Sequence, residues 1–145
     1  MSALSDYLEN KLIDHVMRGQ AYSAPATLHC ALLTAAPSDA GGGTEVSGGS
    51  YARVAVAASL ANWAGTQGAG TTVASSGNSG TTSNNAAISF PTPSAGWGTV
   101  THATVYDAPT GGNLLWYSAL GVSKTINTGD SVSFPAGTFS LQIDN

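Results

Sequence analysis

Residues 99–120 read TVTHATVYDAPTGGNLLWYSAL, and their pattern decides the fold class. Apolar and polar side chains alternate with a period of two on both sides of a glycine-rich turn. That alternation is the mark of half-buried β-strands. Over 99–107, Val100, His102, Thr104 and Tyr106 fall on one face, and Thr101, Ala103 and Val105 on the other. Over 113–120, Leu115 and Tyr117 stand opposite Leu114, Trp116 and Leu120. Gly111-Gly112-Asn113 supplies the turn between them.

The same reading extends outward in both directions. Upstream, 26–34 sets Leu28, Cys30 and Leu32 against Thr27, His29 and Ala31, and 52–60 groups Val54, Val56, Ala58 and Leu60. A short strand at 86–90 carries Ile88 and Phe90. Downstream, Val132 and Phe134 mark a strand at 130–134, and Phe139, Leu141 and Ile143 mark one at 138–143. Glycine clusters at 41–43 and 48–49, and the turns Asn127-Thr128-Gly129-Asp130 and Pro135-Ala136-Gly137, separate the strands. The expected fold is mainly β, an antiparallel β-sandwich of jelly-roll or immunoglobulin-like kind. A small barrel is the alternative.

The first residues follow a different period. Leu4, Leu8, Leu12 and Val16 recur every four residues, which predicts a helix over 3–18. Ile13 and Met17 widen its apolar surface toward a second side. Asp6 and Glu9 near its start and Arg18 at its end suit the helix dipole, and Gly19 is placed to stop it in a left-handed cap. The expected organisation is a helix at 1–19 and a β-sandwich domain at 20–145. So wide an apolar surface suits a helix that packs on its own domain and on a neighbour, or one that closes an open end of the sandwich. Removal of 1–19 is expected to leave a β-rich spectrum. Residues 62–85 form a Gly/Ser/Thr-rich insertion with no charge and no clear period. They are expected to form a flexible tip, to add strands at an intersubunit edge, or to lie on a partner.

Charge excludes several functions. Only 12 of the 145 residues are Asp, Glu, Lys or Arg, giving a net charge of −4. Soluble domains usually carry about a quarter charged residues. With no basic run, nucleic-acid binding is not expected. No apolar run is long enough for a membrane span. The N-terminus lacks the features of a secretory signal. Scarce charge instead suits a subunit whose faces are covered by copies of itself, because few ions must be desolvated.

The residues offer little chemistry. His15, His29 and His102 are far apart, and His29 and Cys30 point to opposite faces of one strand, so no metal site is expected. Cys30 reads as a small buried hydrophobe. There is no G-x-S-x-G elbow and no phosphate-binding glycine loop. Asp39, Glu45, Asp107 and Asp130 lie in or beside turns and are expected to hold turn backbone. No catalytic residue and no cofactor is expected. Trp116 belongs to an alternating strand and is expected in the core. Trp97, between two glycines, and Trp63, at the edge of the insertion, are the better candidates for interface anchors. The candidate assembly surface is therefore Leu4, Leu8, Leu12, Val16, Trp63 and Trp97.

Two stretches carry a resemblance. They are SDYLENKLIDHVMRG (5–19) with PATLHCALLTAAPSDAGGGTEVSGGSYARVAV (25–56), and WGTVTHATVYDAPTGGNLLWYSAL (97–120). Together they resemble a family of small phage and prophage virion proteins commonly labelled tail fibre proteins. The resemblance covers nearly all the chain except 62–85. It implies a non-catalytic virion subunit, made in the host cytoplasm and acting through contacts with itself and with capsid or tail proteins. A closed ring of copies, expected to be a trimer, would cover the strand edges. The length suits a compact head decoration, spike base or tail adaptor better than an extended fibre. A glycan- or receptor-binding module at a fibre tip is the rival expectation, and a small depolymerase a further one.

Overall fold

The chain opens with a short strand, not with the helix. In the computed structural model, which describes residues 2–143, β1 (Ser2–Leu4) precedes α1 (Asp6–Met17). Met1 and positions 144–145, the outer ends of the two expected segments, lie outside the described residues. Leu4 was expected in the helix and is instead extended. The reason is Ser5, whose backbone is in the β region and whose hydroxyl accepts from the Leu8 N–H, capping α1. Asp6 and Glu9 in the first turn complement the dipole, and Gly19, with φ +67°, follows the Arg18 cap.

The alternating stretches form a six-stranded antiparallel sheet. Its strands are β1, β2 (Thr27–Ala35), β3 (Thr44–Glu45), β4 (Val54–Ala57), β7 (Gly98–Tyr106) and β8 (Leu114–Ile126). The order is β1-β8-β7-β2, with β3 and β4 sharing the outer edge of β2. A row of side chains crosses five strands: Val54, Cys30, Val105, Trp116 and Leu4 are successive cross-strand partners. Such cross-strand pairs are the unit of sheet stabilisation.

Two two-stranded ribbons make the second layer of the sandwich. One pairs β5 (Thr81–Ser83) with β10 (Ser140–Gln142), and the other pairs β6 (Ile88–Ser89) with β9 (Ser133–Phe134). Ile88, Phe90, Phe139 and Leu141 from this layer meet Cys30, Leu32, Val100 and Val105 in one core cluster. Ser2 ties the layers together. Its hydroxyl donates to the Gln142 carbonyl and accepts from the Gln142 N–H.

Strict alternation fails at two places in the sheet. Val100 and Val105 were expected on opposite faces, yet both are in the core. The β7–β8 register shifts between Val100 and His102, and an irregularity there changes which face the next residues present. A second shift between Val105 and Tyr106 lets Leu115 and Trp116 both pack on the core. The opposite face of the sheet is also covered in part. Ala31, Leu33 and Thr104 are fully buried there. The 36–43 loop folds back so closely that a Cβ on Gly43 would lie 2.7 Å from Leu33 Cδ2.

The insertion at 62–85 is tied to its own fold. Near its end is β5, a strand that pairs with β10 of the same chain. Its hydroxyl and amide side chains close the loop: Thr71 Oγ1 accepts from the Gly65 N–H at 2.8 Å, and Gln67 Nε2 donates to Ala74 O at 2.7 Å. Buried Asn84 is the hub. Its Nδ2 donates to Ala86 O (2.8 Å) and Pro135 O (2.9 Å), and its Oδ1 accepts from the Phe139 N–H (2.8 Å).

Candidate functional site

The structure divides the six candidate surface residues. Leu4 lies in β1, partly buried and paired with Trp116. Leu8, 4% exposed, is in the core cluster, and Leu12 packs against it. Val16 alone of the stripe points outward, 72% exposed, and it has Ile13 and Met17 as exposed apolar neighbours on the same helix. Trp97 is 5% exposed, donates from Nε1 to Gly49 O at 2.9 Å and meets Tyr51 edge-on at 5.3 Å. Trp63 is half-buried and edge-on to Phe139 at 6.1 Å. The outer half of α1 is thus a surface patch of Ile13, Val16 and Met17. The helical period separates Ile13 and Met17 from the Leu8–Leu12 stripe, whereas it places Val16 on that stripe.

Charged side chains serve the fold. Arg53, with a side chain 6% exposed, grips Glu45 through both ends of its fork: Nε to Oε1 at 2.9 Å and Nη2 to Oε2 at 2.7 Å. Its Nη1 donates to Ala108 O and Gly111 O at 2.8 and 2.9 Å, and its guanidinium stacks 3.6 Å over the Tyr106 ring. Planar bidentate pairing of this kind needs arginine rather than lysine. Tyr51 completes the group, donating to Glu45 Oε1 and accepting from the Leu32 N–H at 2.9 Å. It fills the gap between β3 and β4 on the edge of β2. Burial, with the Glu45 carboxylate beside it, raises the Tyr51 pKa above that of an ordinary phenol.

Asp107 accepts from the Asn113 backbone and side-chain N–H groups, both at 2.7 Å, and Asp130 accepts from the Asn127 N–H at 2.8 Å. These two carboxylates hold turns, as expected. Glu45 and Asp39 do not. Glu45 is an ion-pair partner, and Asp39 accepts from the Tyr117 hydroxyl. That hydrogen bond, with burial and nearby carboxylates, pushes the Tyr117 pKa up to about 12. Burial raises the Cys30 thiol to about 12, so it stays protonated and unreactive. Among the described residues no group of three or more His, Cys, Asp or Glu is placed to hold a metal ion. No helix among the described residues is long and apolar enough to cross a membrane.

Several concave features remain, among them a shallow one of about 410 Å³ lined by Ala58, Leu60 and Trp63. A polar pocket of about 280 Å³ lies where α1, the 36–43 loop and the β7–β8 turn meet, lined by Asp6, Tyr7, Asp39, Tyr106 and Asn113. Its carboxylates accept hydrogen bonds and its phenol rings offer apolar faces, a combination suited to a polyhydroxylated molecule. A larger groove, about 570 Å³, runs between β8 and β9, with polar and apolar lining in nearly equal measure.

No curated protein matches the chain. The chain matches over residues 3–142 the family model for the podophage GP4 fiber I protein gp80, and it belongs to this family of phage fibre proteins.

Proposed function

We propose that this chain is a non-catalytic, tail-fibre-type subunit that is made in the host cytoplasm and works in the virion by contacts with copies of itself and with tail proteins. Family membership supports a fibre role ahead of a head decoration or spike. The observation that carries the contact reading is the Ile13, Val16 and Met17 patch, three large apolar side chains exposed on a helix anchored by Leu8. An apolar patch in a chain so poor in charge is an association surface.

Deletion of 1–19 is a poor test, because it also removes β1 and the core side chain Leu8. Point changes are cleaner. The triple variant Ile13→Ser, Val16→Ser, Met17→Ser should keep a wild-type β-rich circular dichroism spectrum and be lost from assembled particles. Normal incorporation of this variant would show that the patch is not an assembly contact.

The polar pocket favours a second reading, a glycan-binding fibre module. Trp97 is too buried to stack on a sugar, so the tyrosines of the pocket are the better platform. Tyr7→Ala and Asp39→Ala should then weaken binding to host surface polysaccharide, measured by calorimetry. Equal binding by wild type and both variants would remove the pocket from consideration.

A further inference from the structure

β8 is covered along only part of its outer edge. β1 pairs with Trp116–Ser118 and stops. Among the described residues no strand pairs with that edge beyond Ser118. The unpaired edge, Ala119–Ile126, also borders the 570 Å³ groove. Leu120, Val122, Lys124 and Ile126 line its β8 side in strict alternation, and Asp130 and Val132 line the opposite side. Leu120 and Ile126 reach the core, whereas Val122 is 80% exposed, the most exposed large apolar side chain among the described residues. Open strand edges template pairing with another chain.

We propose that β8 pairs with β8 of a second copy, antiparallel about a two-fold axis at Val122, continuing the six-stranded sheet across the contact. The proposal rests on the assembly reading above and names the surface and partner. Self-complementarity supports a second copy as the occupant. In this register Val122 lies opposite Val122, and Gly121 opposite Ser123. Lys124 lies opposite Leu120, so no two like charges face each other. Leu120 shares its groove with Asp130 and with the chain's own Lys124, so Lys124 of the second copy arrives at a groove that holds one charge of each sign. Cross-strand apolar pairs and opposite charges both stabilise such a register. A two-fold contact is closed and isologous, and it gives even-numbered assemblies rather than a trimer. The β7–β8 register shift leaves Leu120–Ser123, the residues around the axis, without β7 partners, between the pairs Val100–Lys124 and His102–Ala119, and the single lysine limits pairing with other strands.

The test is symmetric disulfide trapping with the full chain. Val122→Cys should form a disulfide-linked dimer under mild oxidation, seen on a non-reducing gel, because the axis brings the two thiols together. Cys30 is buried and does not compete. Thr110→Cys, exposed on the β7–β8 turn and outside both the helix patch and β8, is the control and should remain mostly unlinked. Light scattering should give a dimer, or a multiple of it, for wild type and a halved mass for Val122→Lys with an unchanged circular dichroism spectrum. A wild-type monomer at all concentrations, a trimer, or equal trapping by Thr110→Cys and Val122→Cys would each overturn the contact. Particle incorporation of Val122→Lys keeps the two readings apart. If the wild type proves monomeric yet still enters particles, the two-fold contact fails while the fibre-subunit reading stands.

Discussion

Two regions of this molecule solve one problem with opposite chemistry. The Arg53 site ties the β7–β8 turn to β3 and β4 through a buried ion pair, a stacked ring and two carbonyls. The Asn84 site ties the 62–85 insertion to the β9–β10 turn with one neutral amide. Both are tightly satisfied, as buried polar groups must be. They differ in what a single deletion leaves behind. Loss of Arg53 strands a carboxylate, whereas loss of Asn84 strands only neutral backbone groups. A chain with 12 charged residues can hold a long loop with amide and hydroxyl groups alone. It uses charge where three distant segments converge.

Arg53→Ala tests the charged side and has the largest expected effect. Breaking a buried pair by removing one partner costs about 3–5 kcal/mol. Glu45 keeps some contact with water, so the lower end, about 3 kcal/mol, is expected from urea unfolding. Asn84→Ala comes next. It strands the buried Phe139 N–H and several carbonyls, and about 2 kcal/mol is expected from the same measurement. If Asn84→Ala proved costlier than Arg53→Ala, the ranking of charge over neutral hydrogen bonds would be wrong for this fold.

Alkaline titration sharpens the comparison, because only the Arg53 site contains a buried tyrosine. The Tyr51 pKa is raised in the folded state, and that of Tyr117 is raised to about 12. A group whose folded pKa exceeds its unfolded value adds stability below the unfolded value, near 10 for tyrosine, and loses it as pH rises further. Stability should therefore fall above pH of about 10. Tyr51→Phe should fall less steeply over that range, and Asn84→Ala should keep the wild-type slope. An unchanged slope in Tyr51→Phe would remove Tyr51 from the account. The smallest effect is expected from the exposed Asp14–Arg18 pair, one turn apart on the helix. Arg18→Ala should change stability by less than about 0.5 kcal/mol. A larger loss would mean that charge matters here even in water.

Much of the fold was legible. The alternation at 26–34 and 99–107 located β2 and β7 to within a residue or two. Ser5 and Gly19 bracket the helix by general rules of capping. The short strands β1, β3 and β5 were not legible, because two or three residues carry no period and pair only where another strand already waits. For the candidate surface, period alone separated Ile13 and Met17 from the anchored stripe. It did not reveal that Trp97 faces inward, because that follows from where Gly49 and Tyr51 lie.

The sequence by itself determined a mainly β chain with one capped helix, turns at its glycine clusters, and a charge density suited to assembly. These features are local: period two or period four, a cap, a residue that tolerates positive φ. Only the tertiary structure decided which face of β7 and β8 enters the core, since register shifts put Val100 and Val105 on one side. It alone joined Arg53 to Glu45 and to a turn 55 residues away, and made Asn84 a hub. It also left β8 open beyond Ser118. The physical reason is that strand partners are fixed by register and by packing across the sandwich, and a local pattern of side chains sets neither.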